Sequence, residues 1–97
     1  MRESKIENAV CKYAKDKGWL VYKFSSPGNN GVPDRIFIKN KILFFIEFKA
    51  TSKKMRKLQA RIAEKIKKEK FHVFEVSTIE RGIYIIDKFE WRMENEN

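Results

Sequence analysis

The stretch GVPDRIFIKNKILFFIEFKA, residues 31–50, decides the fold. Its two apolar runs, RIFIK and ILFFIEFKA, stand either side of Asn40-Lys41, and asparagine tolerates the positive φ of a two-residue hairpin turn. With that turn, Lys39 pairs with Ile42 and Ile38 with Leu43, and the register carried outward sets Asp34 opposite Glu47. Ile42 to Ile46 is apolar on both alternating faces, the pattern of a central strand covered from both sides.

Elements follow on either side of this hairpin. Residues 4–17 place Ile6, Val10, Tyr13 and Ala14 at helical spacing and stop at Gly18, and Ser4 with Glu7 has the form of a capping box. WLVYKF, 19–24, reads as a strand, and SSPGNNGVP, 25–33, as a polar loop. Residues 53–70 read as a second helix with Met55, Leu58, Ile62 and Ile66 on one side, followed by a strand at FHVFEVS, 71–77. Ser77 and Glu80 suggest another capping box, opening a last helix through Ile79, Ile83, Ile86 and Met93. The β-rich run IYIID makes a strand the competing reading of 83–87. The order α-β-β-β-α-β-α predicts an α/β fold: a small mixed β-sheet flanked by helices, in a single domain over 1–97. A parallel strand pair is expected across the second helix.

Composition narrows the partners. Lys and Arg number 22 against 13 Asp and Glu, a formal net charge of +9, which predicts a polyanion. No apolar run reaches the roughly 18 residues of a membrane span. The polar start from Arg2 to Lys5 does not resemble a signal peptide, so an intracellular protein without membrane or small-molecule partners is expected. One cysteine and one histidine leave no disulfide within the chain and no zinc constellation, and Cys11 reads as a packing residue. Any metal would be held by carboxylates.

Cross-strand neighbours have Cβ atoms about 4.5 to 5.5 Å apart, and two like charges there destabilise the pair unless a cation lies between them. Side chains alternate along a strand, so Glu47 and Lys49 share one face, roughly 6 to 7 Å apart along it. Asp34, Glu47 and Lys49 are therefore expected to converge. Hard oxygen ligands with room for water suit Mg²⁺ or Mn²⁺, and the ammonium offsets phosphate charge. The chemistry this suggests is metal-assisted phosphodiester hydrolysis; the plain alternative is a strand-end salt bridge. Gln59 lies within about 40° of the centre of the apolar face of its helix. A polar amide there is either bonded to backbone or pointed at a polar site. On spacing alone, Glu7 reads as the partner of Ser4.

Pro33-Asp34 followed by Glu47-Phe48-Lys49, with Gly28, Gly31, Arg35, the Glu7 to Gly18 spacing and Gln59 in order, resembles the PD-(D/E)XK nuclease superfamily and, within it, the small stand-alone VRR-NUC nucleases. The resemblance covers Glu7 to about Ser77. It implies that Asp34 and Glu47 are metal ligands, that Lys49 is the catalytic lysine, that Glu7 is a further acidic site residue, directly or through water, and that Gln59 supports them. It also implies a homodimeric, structure-specific DNA endonuclease acting on branched DNA such as four-way junctions, in repair or recombination. Tyr84, Phe89 and Trp91 are candidates for the dimer face or, equally, for core packing. The rival class is a non-catalytic nucleic-acid-binding module on the same scaffold, which would need no clustered acid near phosphate.

DNA contact is expected from the basic second helix, through Lys53, Lys54, Arg56, Lys57 and Arg61, by salt-dependent phosphate binding. Ser26, Asn29, Asn30 and Arg35 are expected to add contacts from the loop beside Asp34.

Overall fold

A computed structural model describes residues 1–96. The chain runs α1 (Glu3–Asp16), β1 (Leu20–Lys23), β2 (Arg35–Lys39), β3 (Ile42–Phe48), α2 (Lys57–Lys68), β4 (His72–Val76) and α3 (Ile79–Asn95). The four strands form one sheet in the order β1-β2-β3-β4, antiparallel except for the parallel β3–β4 pair. This is the mixed α/β sheet anticipated from the element order. Among the described residues no helix is long and apolar enough to cross a membrane.

The hairpin has the expected register, Lys39 opposite Ile42 and Ile38 opposite Leu43, out to Arg35 opposite Ile46. Asn40 and Lys41 both have positive φ, 49° and 68°, the backbone of a type I′ turn, whose twist matches that of the strands it joins. Because the side-chain period is two, this turn assigns every residue of β2 and β3 to a face.

Phe44, Ile46 and Phe48 point to the face covered by α1 and α3, where Ile6, Val10, Ile85, Ile86 and Phe89 complete the main core. Phe44 stacks between Phe37 and Phe89, at ring-centroid distances of 4.9 and 4.7 Å, with the edge of Trp19 at 5.2 Å. Gly82 lets the two helices meet: a Cβ there would lie 2.3 Å from Val10 Cγ2. The opposite face is covered by α2 and holds a smaller cluster of Phe45, Ala63 and Val73. Cys11 is buried in the main core, and burial pushes its thiol up to about 11, as suits a packing residue.

Several local expectations change. Ser4 caps nothing: α1 begins at Glu3, its N-cap Arg2 makes no side-chain cap bond, and Glu7 turns to Arg35 instead. The last helix is capped by Thr78, whose hydroxyl accepts from Arg81 N, one residue later than the expected Ser77. It is helical throughout 83–87, because its Ile85, Ile86 and Phe89 fit one face against the core. The second helix starts at Lys57 rather than 53, since the Met55 amide is drawn to Glu75 on β4 and holds the preceding segment out of the helix. Its buried face is correspondingly Gln59 and Ala63, while Leu58, placed on the apolar side from spacing, is 45% exposed.

Candidate active site

At the end of β3 the ladder to β2 stops at Arg35–Ile46, and Asp34 lies one residue beyond it. Pro33, fully buried, brings the loop to this point, and the Asp34 carbonyl accepts from Phe24 N at 2.9 Å. The Asp34 side chain reaches across to β3, where Oδ2 accepts from Phe48 N at 2.8 Å. One bond therefore ties the carboxylate to the strand that carries Glu47 and Lys49.

Glu47 is 2% exposed, one of two buried polar or charged residues among those described; the other is Gln59. Glu47 Oε2 accepts from Gln59 Nε2 at 2.7 Å and lies 3.1 Å from Lys49 Nζ. Gln59 Oε1 accepts from Arg56 N at 3.0 Å. The two possibilities left open for Gln59 are thus both realised: one end of the amide satisfies a free N–H at the start of α2, and the other holds the carboxylate. Its orientation is set by having an acceptor at one end and a donor at the other.

Glu47 Oε1, by contrast, is buried and has no hydrogen-bond partner among the described residues. An unpaired carboxylate oxygen out of water is costly, and the electrostatics register it. Burial, with the nearby charge of Asp34, pushes the Glu47 carboxyl up to about 7 against the pull of Lys49. Asp34 is also raised, by burial first and by Glu7 and Glu3 after it, against the lowering effect of the Phe48 N–H bond and of Lys49. Both carboxyl groups hold their protons more tightly than usual, as acids do where negative charge is concentrated and water is scarce. A cation between them would relieve that cost.

The chain is similar to known proteins. Its fold matches a solved structure described as “VRR_NUC domain” with a TM-score of 0.81, covering 88% of this chain and 94% of that one at 25% identity. Over 62 residues, 63% of this chain and 67% of the relative, it is 39% identical to a protein named “Putative nuclease p44” from Acyrthosiphon pisum secondary endosymbiont phage 1. The chain belongs to the VRR-NUC nuclease family. No family model matches it.

Around this VRR-NUC core the other expected residues are distributed unevenly. Glu7 Oε2 accepts from Arg35 Nε at 2.6 Å in a part-buried pair, close enough to Asp34 to help raise it, and Arg35 is occupied rather than presented on the surface. Among the described residues no group of three or more His, Cys, Asp or Glu is placed to hold a metal. Lys53, Lys54 and Arg56 are exposed on the extended connector before α2, and Lys57 and Arg61 on its first turns. In the loop, Asn29 and Asn30 are exposed, and Asn29 Nδ2 donates to Ser26 Oγ at 3.0 Å. Gly31 seats the loop against α2, where a Cβ would come within 2.8 Å of both Leu58 Cγ and Ile62 Cδ1 and 3.0 Å of the Leu58 carbonyl. Loop and basic helix form one rim beside Glu47.

Two residues near the site had no signal of their own in the sequence. Glu75 lies beside Glu47 through the parallel register and anchors the Met55 amide. Glu3, in the first turn of α1, is close enough to raise both Asp34 and Glu47. Of the three aromatics proposed for a contact face, Phe89 is core, whereas Tyr84 and Trp91 are 54% and 57% exposed.

Proposed function

We propose that the chain is a divalent-metal-dependent endonuclease that hydrolyses phosphodiester bonds in DNA, acting on branched substrates as a pair of identical subunits. The observation that carries the reading is Glu47: buried, bonded on one oxygen by Gln59 and Lys49, and left without a partner on the other. A structural salt bridge would leave no such oxygen. Asp34 and the free oxygen of Glu47 would hold Mg²⁺ or Mn²⁺. Two carboxylates suffice, because Mg²⁺ keeps several waters and takes further oxygens from substrate phosphate. The ion supplies Lewis-acid charge to the scissile phosphate.

The remaining work falls to the chain. Lys49 keeps an ammonium beside Glu47, where it offsets charge building on the phosphate and donates a hydrogen bond to the attacking water. Gln59 holds Glu47 in one rotamer, and the Phe48 N–H does the same for Asp34. The exposed cations of the α2 rim grip the backbone on either side of the cut without reading bases. Shape recognition of branched DNA agrees with that contact set, and a dimer would supply the second incision that a junction needs.

The test is a panel of labelled four-way junctions, flaps and linear duplexes with Mg²⁺, Mn²⁺ or chelator. Wild type should cut branched DNA only with metal. Asp34→Ala, Glu47→Ala and Lys49→Ala should each lose at least about a hundredfold in rate, as expected for groups that act on the transition state. Cutting by the Asp34→Ala variant at the wild-type rate would end the assignment. Independently of activity, Mg²⁺ should raise the melting temperature of wild type and not of Glu47→Ala.

A further inference from the structure

A second basic surface lies on the face of the sheet away from Glu47. Between edge strand β4 and α3 runs a groove of about 170 Å³, walled by Phe74 and rimmed by His72, Arg81, Tyr84, Lys88 and Arg92. The exposed His72 ring stacks nearly parallel on Phe74, 5.6 Å between centroids with 11° between planes. Tyr84 is 54% exposed, with Arg81 5.7 Å and Lys88 5.9 Å from its ring centroid. Among the described residues neither Arg81 nor Lys88 has a carboxylate in ion-pair range, whereas Arg92 is shared with Glu96 at 3.4 Å.

Core packing does not account for this set. Tyr84 leaves more than half of itself in water, and among the described residues the two cations beside it have no acidic partner. Arg81 and Lys88 are seven residues apart on α3, hence on one side of the helix and about 10 Å apart along it. Aromatic faces flanked by unpaired cations complement a ligand with flat rings joined by phosphates. In a duplex those rings are hidden in the stack, so the complement is an unpaired strand. The surface is also continuous with the basic helix: Lys67, Lys70 and Phe71, at the end of α2, share a neighbouring hollow with His72 and Phe74. A strand leaving the α2 rim can therefore follow positive charge round the β4 edge into the groove.

We propose that the β4–α3 groove binds unpaired nucleotides, with bases stacking on Tyr84 and His72 and phosphates held by Arg81 and Lys88. The inference rests on the reading of the chain as a DNA nuclease, and it names where a single-stranded arm of the substrate is held away from the cutting site.

Fluorescence anisotropy with a labelled oligothymidylate, in chelator so that nothing is cut, tests it on the full chain. Tyr84→Ala should bind the oligonucleotide roughly tenfold more weakly, the loss of about one stacked base, while Tyr84→Trp keeps wild-type affinity. Arg81→Glu with Lys88→Glu should weaken it further and make the remaining affinity fall less steeply with added salt, because fewer phosphates are neutralised; affinity for blunt duplex should change little under Tyr84→Ala. Equal oligothymidylate affinity in wild type and Tyr84→Ala overturns the proposal. So does a Tyr84→Ala variant that sediments as a smaller species with unchanged affinity, which would make the groove a contact between copies. The two readings fail separately: a protein that cuts no DNA but loses oligothymidylate affinity on Tyr84→Ala refutes the nuclease and keeps the groove.

Discussion

The two faces of the sheet are built to opposite ends. Toward α1 and α3, Phe37, Phe44, Ile46, Phe48, Val10 and Ile86 are sealed from water among other apolar groups, and aromatic rings stack and meet edge to face. Toward α2, only Gln59 and Ala63 of the helix are buried, and the most deeply buried charge in the described chain, Glu47, sits beneath them. One face supplies the burial that folds 97 residues; the other gives up apolar area to keep two raised carboxyl groups and an ammonium in place. A small domain can hold such a site only because its stability is provided elsewhere.

If that division is right, substitutions on the two faces should separate stability from activity. The largest stability effect is expected for Phe44→Ala, about 3 to 5 kcal/mol in urea denaturation, because the side chain is fully buried and stacked on both sides. A cost below about 1 kcal/mol would mean that the main core is less decisive than its packing suggests.

Gln59→Ala should do the reverse. It removes one hydrogen bond from Glu47 and one from the Arg56 amide, so unfolding should shift by about 1 to 3 kcal/mol, while cleavage falls by roughly ten- to a hundredfold. Loss of folding with no separate loss of rate would make Gln59 a structural residue and blur the two faces.

Gly82→Ala and Gly31→Ala compare the same added methyl on each side. At Gly82 it meets Val10 inside the core and should cost about 1 to 3 kcal/mol, overpacking outweighing the gain of roughly 1 kcal/mol in helix propensity. At Gly31 it meets Ile62 Cδ1, Leu58 Cγ and the Leu58 carbonyl at the edge of the fold, where Leu58 is 45% exposed and the loop rather than the core can give way, so the melting temperature should fall less. The loop should move instead, and DNA binding should weaken.

The last comparison is a pH slope. The Glu47 carboxyl is raised to about 7 in the folded state, above its usual value of 4.5, so the folded chain binds more protons than the unfolded one between those values. Stability of the metal-free protein should therefore fall as pH rises from about 5 to 8, and the raised Asp34 acts in the same direction. Glu47→Gln should flatten the slope; thermal melts across that range would show it.

Much of this was legible in the residues, and the hairpin shows why. A two-residue turn at Asn40-Lys41 and a side-chain period of two leave one register that buries Phe37 and Phe44 together, and that register sets Asp34 beside the strand end carrying Glu47 and Lys49. The helical face of Ile85, Ile86 and Phe89 is local in the same way. Capping signals were less dependable, since Ser4 and Ser77 had the right spacing but neither caps its helix. A cap contributes only about 1 kcal/mol, and core contacts that set where a helix lies can override it.

Sequence by itself determined the strand register, the sharing of one face by Glu47 and Lys49, and the excess of positive charge, because each depends on neighbours in the chain or on composition alone. Tertiary structure decided that Glu7 is held by Arg35, 28 residues away, that α2 waits for Lys57 because Glu75 holds the Met55 amide, and that Gln59 joins that helix to Glu47. Those choices follow from which polar groups are left without water once the sheet and helices close, and no local pattern encodes that competition.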